Sequence, residues 1–144
     1  MRCNVGINPQ LLTVPHLVAE YRELPMIVGS LRVNDYVIKS SIPPQFNLGK
    51  GHMNFLKNKL IYITKRYGEV VKEMNRRGFK SNIDRLDISS APLHLLNDWI
   101  PGTLDTYILR NRIIEKIKMK PLFYKIHDVD MYSKKLLETE LFYV

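Results

Sequence analysis

The stretch His16-Leu17-Val18-Ala19-Glu20-Tyr21-Arg22-Glu23-Leu24-Pro25 places three apolar residues, Leu17, Tyr21 and Leu24, on one helical face. Thr13 stands just before it as a side-chain N-cap. Pro15 falls in the first turn, where a missing N–H is harmless. A helix is therefore predicted from about residue 14 to the low thirties, with a bend at Pro25. Arg22 and Glu23 stand side by side off the apolar stripe, and His16 lies nearly two turns earlier. On pattern alone they form a solvated charged face, with Glu23 paired to Arg22 or Lys50.

Working outward, residues 1–12 are short and irregular, and Asn8-Pro9 marks a turn or a brief helical start. From Val33 to Pro44 a loop is expected, since Ile42-Pro43-Pro44 excludes a helix. The longest periodic segment runs from Met53 to Arg77. It carries Phe55, Leu60, Ile63, Tyr67, Val70, Val71 and Met74 on one broad face, and Gly78 follows as a C-cap. Lys57, Lys59, Lys65, Arg66, Lys72, Arg76 and Arg77 fill the remainder of that predicted helix. Residues 80–104 are turn-rich, with one short helical turn able to start at Asp87–Pro92. A third helix is expected from Leu104 or Asp105 to Met119. Ile108, Ile113, Ile114 and Ile117 would face inward, and Arg110, Arg112, Lys116, Lys118 and Lys120 would make a basic side. Pro121 ends it. These patterns predict an all-α fold: a single compact domain spanning 1–144, three principal helices and long loops, with residues 128–144 as an extra C-terminal tail.

At 144 residues the chain is long enough for one real core but not two. The apolar fraction of 45% is ordinary for a globular protein. Charge is less ordinary: 22 Lys and Arg against 14 Asp and Glu leave a net +8, and the pI is near 9.6. That excess suits a polyanionic partner, and nucleic acid fits better than a membrane surface. No apolar run is long enough to span a bilayer, and the first residues lack the apolar core of a signal peptide. The single Cys3 cannot form an internal disulfide, so a cytoplasmic setting is expected. His16, His52, His94 and His127 show no metal-ligand spacing, so no metal is expected. Gly49-Lys50-Gly51 lacks the spacing and hydroxyl residue of a nucleotide-binding P-loop.

Several short motifs follow one another in a fixed order. Ala19-Glu20-Tyr21-Arg22-Glu23-Leu24-Pro25 comes first, then Phe46-x-Leu48-Gly49-x-Gly51-His52-x-x-Phe55 with Lys59-Leu60. Arg77-Gly78-Phe79, Asp87-Ile88-Ser89 and Asp98-Trp99-Ile100-Pro101 come next, and Glu115-Lys116-Ile117, Pro121 and Tyr124-Lys125 complete the series. In this order they resemble the pyrimidine-dimer DNA glycosylases, the phage endonuclease V type of repair enzyme.

The resemblance implies a monomeric, metal-free and cofactor-free enzyme acting on duplex DNA in the cytoplasm, of the host cell if phage-encoded. It kinks the duplex, and an N-terminal α-amine attacks the sugar C1′ and displaces the base. The imine then undergoes β-elimination, an AP lyase step. An α-amine has the lowest reference pKa of the protein amines, about 7.7, so much of it is neutral and nucleophilic at cellular pH. By the same resemblance Glu23 is the catalytic carboxylate, and His16 and Arg22 touch DNA. Arg112 and Lys116 meet phosphates, and Arg32, Tyr124 and Lys125 complete the DNA-contacting set. On chemistry alone His16 can equally serve the first turn of its helix, and Phe123 and Tyr124 can close the core.

The chain departs from the family at the chemistry itself. Family members begin Met-Thr-Arg and lose the Met, whereas this chain begins Met1-Arg2-Cys3. Arg2 is too large for ordinary Met removal, so Met1 is expected to stay and carry the reactive amine, with Arg2 beside it. Met26 replaces an Arg, and Ile126 replaces an aromatic residue. Two function classes follow: a glycosylase with lyase activity on a dimer or another damaged or modified base, and a non-catalytic relative that binds and bends duplex DNA.

Overall fold

The computed structural model describes residues 3–49 and 51–124 as an all-α domain. Met1, Arg2, Lys125 and the expected tail lie outside the described residues. Four helices follow in order: α1 (Val14–Val33), α2 (Gly51–Leu56), α3 (Leu60–Arg76) and α4 (Thr103–Met119). Single 3-10 turns sit at Pro9–Leu11 and Leu93–Leu95. The three long helices are those the periodicity predicts. Among the described residues there is no strand, only an isolated antiparallel bridge between Lys59 and Leu96.

Helix α1 starts as its sequence dictates, with the Thr13 hydroxyl accepting from the His16 N–H. It runs on through Pro25 to Val33. Leu17 and Leu24 are buried and Tyr21 half-buried, and Ile27, Val28 and Leu31 extend the inner face. That face also contains Glu20, which is fully buried.

The predicted helix Met53–Arg77 is in fact two helices. Lys59 leaves the helical region (φ −125°, ψ 49°), and residues 93–97 dock into the break. The Asn97 side-chain amide donates to the Asn58 carbonyl (2.8 Å), and the Lys59 ammonium caps the Phe55 carbonyl (2.8 Å). Periodicity could not reveal this break, because Phe55 before it and Leu60, Ile63, Tyr67 and Val70 after it are all buried in the same core. Gly78, at φ +87°, ends α3 where a side chain would be strained.

A second correction concerns charge. Arg66 is not part of a solvated basic face: only 4% exposed, its guanidinium grips both Glu20 carboxylate oxygens, with Nε 2.9 Å from Oε2 and Nη2 3.0 Å from Oε1. Arg110, assigned by periodicity to the basic side of α4, is likewise buried.

The irregular segment before α1 is core rather than periphery. Cys3, Val5, Ile7 and Leu12 are all buried. With no ladder of its own, its backbone must find partners elsewhere, and it finds them in side chains of three helices. The Cys3 N–H donates to His52 Nε2 (2.8 Å) and the Asn4 N–H to Glu20 Oε1 (2.8 Å). Arg66 Nη1 donates to the Ile7 carbonyl (2.6 Å), and Arg77 Nη2 to the carbonyls of Pro9 (3.1 Å) and Leu12 (2.7 Å). Helix α4 closes the fourth side. Gly6 has φ +73°, and a Cβ there would fall 2.1 Å from the Thr106 hydroxyl.

The Glu20–Arg66 pair is thus bonded to each other and to the segment between them. Arg66→Leu strands a buried carboxylate and leaves the Ile7 carbonyl unpaired, a combination that destabilises by about 3–5 kcal/mol. Urea unfolding followed by circular dichroism should show that loss. A midpoint close to wild type would mean the pair is a surface contact.

Candidate functional site

Glu23 lies on α1 one turn beyond Glu20 and is half-buried, while its neighbour Arg22 is exposed. Glu20 holds the Asn4 amide, so Glu23 lies one turn from the level at which the first described residues dock on α1. His16 sits at the other end of the same helix. Its Nδ1 is 2.6 Å from the Thr13 hydroxyl, and its ring stacks on Tyr124 at 4.7 Å between centroids. That stack brings the segment after α4 against the first turn of α1. Arg112 and Lys116, both half-buried, lie on α4, and Arg112 reaches Glu115 at 3.6 Å. Phe123, beside Tyr124, is exposed. Arg32 lies at the far end of α1, where its Nη2 donates to the Asp87 carbonyl (2.8 Å) and ties the helix to the 80–92 loop. Met26 is exposed.

The expected site residues therefore divide. His16 and Tyr124 are in direct contact, Glu23 and Arg22 share α1 with His16, and Arg112 and Lys116 follow α4 toward Tyr124. Arg32 stands apart, and Met1, Arg2 and Lys125 lie outside the described residues. None of the described candidates lines the groove of about 680 Å³ between the chain start, α3 and residues 98–101.

Three further residues, Glu20, His52 and Arg66, hold the segment before α1, a role the motifs do not assign. Glu20 and Arg66 were hidden by their charge, although each falls at core spacing: Glu20 between Leu17 and Leu24, Arg66 between Ile63 and Val70. Burial works against the Arg66 charge, and the Glu20 carboxylate more than reverses it, so the guanidinium pKa stays above its ordinary value. His52 stands inside the motif Phe46-x-Leu48-Gly49-x-Gly51-His52-x-x-Phe55, which gives it no role of its own. Two more buried groups lack a hydrogen-bond partner among the described residues: Asn4 Oδ1, and Nε and Nη1 of Arg110.

The family is decided by comparison with known proteins. Residues 2–87 match the model of the pyrimidine dimer DNA glycosylase family. The chain belongs to that family. The match takes in α1, α2, α3 and the 80–92 loop as far as Asp87, where Arg32 anchors it, while α4 and Tyr124 lie beyond the matched residues. Membership supports a DNA glycosylase function and with it DNA binding, in keeping with the net charge of +8. No helix among the described residues is long and apolar enough to cross a membrane. Nor do the described residues contain a group of three or more His, Cys, Asp or Glu able to hold a metal ion.

Cys3 carries the single thiol of the chain. Its thiol is fully buried, and that burial, reinforced by the Glu20 charge, pushes its pKa well above the ordinary value. It stays a thiol and is no nucleophile. A disulfide reagent such as Ellman's should therefore find no fast-reacting thiol in the native protein and one equivalent after unfolding in urea. Rapid labelling of the native protein would show that the chain start does not stay docked.

Proposed function

We propose that this protein is a DNA glycosylase with AP lyase activity that works through its N-terminal α-amine and Glu23. The observation carrying this reading is the clamp on consecutive amides, Cys3 N–H on His52 and Asn4 N–H on Glu20. It anchors the start of the chain beside α1. Two extended residues reach up to about 7 Å, and Glu20 and Glu23 differ by about 4.5 Å in rise along α1. Two residues ahead of Cys3 are thus long enough to span the rise from Glu20 to Glu23.

The chemistry needs few groups. The neutral amine attacks C1′ of the damaged nucleotide. A bond forms from nitrogen to C1′ as the glycosidic bond breaks, and the base leaves with the electron pair and takes up a proton. Loss of one amine proton and opening of the sugar ring, whose O4′ takes up a proton, give a protonated imine that keeps the other. Removal of a 2′ proton then expels the 3′ phosphate and nicks the strand. Glu23, half-buried and negative, would stabilise positive charge on the sugar and afterwards move protons. Arg22, His16, Arg112, Lys116, Arg32, Tyr124 and Lys125 are assigned to the duplex, with Arg22, Arg112 and Lys116 on phosphates.

The substrate is a pyrimidine dimer or another damaged or modified base, since Arg2 and Met26 replace family residues at the amine and after the Pro of α1. Arg2 is also the observation that favours the second reading, a non-catalytic relative that binds and bends DNA. Borohydride reduces the imine to a stable amine and so separates the two. On duplexes carrying abasic sites, dimers or modified bases it should trap an adduct that peptide mapping places on the Met1 amine. An adduct on a lysine would keep the enzyme and discard the amine assignment. No adduct on any duplex would leave the DNA-binding relative.

Glu23→Gln should bind duplex DNA as well as wild type, or tighter through relief of repulsion with phosphates, while strand cleavage is lost. Comparable cleavage by that variant would remove Glu23 from the chemistry. Binding should also weaken steeply with salt, and neutralising Arg22, Arg112 or Lys116 should each flatten the log–log slope by about one unit on any sequence. A slope unchanged in all three variants would place the DNA on another face.

A further inference from the structure

We infer that His52 is a positioning residue for catalysis: its Nε2 holds the Cys3 amide and so sets where the N-terminal amine meets the sugar. This inference rests on the amine mechanism proposed above. His52 is the second residue of α2 and is only 2% exposed. Its ring packs edge-on against Phe46 at 5.1 Å, and Phe46 in turn packs on Phe55 and Trp99. Both ring nitrogens are engaged. Nε2 lies 2.8 Å from the Cys3 nitrogen, which can only donate, so Nε2 accepts. The ring proton therefore sits on Nδ1, which donates to the Asn47 carbonyl at 3.1 Å. Asn47 belongs to the turn before α2, and its own Oδ1 accepts the Gly49 N–H (3.0 Å), which holds that carbonyl in place.

The turn thus orients the imidazole, and the imidazole orients the first described backbone amide of the chain. Glu20 fixes the next amide, at Asn4. Two adjacent amides held from two different helices leave the chain start no rotation about that pair, which one bond alone would permit. Nucleophilic attack requires an approach of about 3–3.5 Å, and an error near 1 Å slows it on the order of a hundredfold. A tether two residues from the nucleophile is close enough to govern that distance. His52 touches neither DNA nor the sugar in this account. It acts only through the backbone it holds.

Two amide substitutions separate the two bonds of the ring. His52→Gln puts an amide oxygen near the place of Nε2 and can still accept from Cys3. His52→Asn puts its amide near Nδ1, where it can donate to Asn47 but does not reach Cys3. Borohydride trapping under single-turnover conditions on an abasic-site duplex should show His52→Gln near the wild-type rate. His52→Asn should be slower by about ten- to a hundredfold, with duplex affinity unchanged. Val70→Ala, which trims a buried α3 residue far in sequence from the tether, serves as a stability control assayed at the same temperature. Equal trapping rates in His52→Asn and wild type would overturn the tether while leaving the amine mechanism intact. So would an equal slowing in Val70→Ala, since the rate would then follow stability. A wild-type protein that traps nothing, or traps on a lysine, would remove the amine mechanism and the tether with it.

Discussion

Glu20 and Arg66 face each other between α1 and α3, and the rest of the domain depends on that pairing. A carboxylate and a guanidinium out of water are each unfavourable, and their mutual attraction offsets this only when their remaining hydrogen-bonding capacity is satisfied. Here it is satisfied by the chain start. The carboxylate accepts the Asn4 N–H, and the guanidinium donates to the Ile7 carbonyl. The pair and the segment therefore require each other. Residues 3–12 have no regular ladder of their own and can be buried only because charged side chains supply it. The two charges can be buried only because that backbone completes their shell.

This arrangement explains what the sequence does and does not disclose. The long helices are legible because their apolar residues recur at helical spacing: Leu17 and Leu24 in α1, Ile63 and Val70 in α3, Ile113 and Ile117 in α4, all buried. Thr13 and Gly78 mark ends where they should. The break at Lys59 is not legible, since it is imposed by residues 93–97 and local pattern contains no record of a distant turn. The buried pair is misread for a different reason. Hydrophobic patterning assigns Glu and Arg to solvent, and only their registration with Leu17, Leu24, Ile63 and Val70 argues otherwise. Two opposite charges, each on the inner stripe of its own helix, are the signal that pattern reading discards.

The site is legible in proportion to how far its residues act through sequence motifs. Arg22 and Glu23 stand inside the segment that most resembles the family, and the family match over residues 2–87 encloses both. His16 joins them through the same helix, but its partner Tyr124 is more than a hundred residues away, and only the fold brings the two rings together. His52 is legible only in three dimensions. Its role depends on a backbone amide, and backbone amides are the same in every sequence.

The close approach of Gly6 to Thr106 ties the start of the chain to a residue a hundred positions later. During synthesis at about 5–20 residues per second, residues 3–12 emerge long before the helices that will enclose them. His52, Arg66 and finally Thr106 must each follow before the segment is walled in, so its docking is among the most non-local events in this domain. A ribosome-bound or truncated chain can contain Glu23 and every residue of α1 and still have an unanchored beginning. Any function that needs the docked segment thus becomes competent only when α4, the last helix among the described residues, has folded.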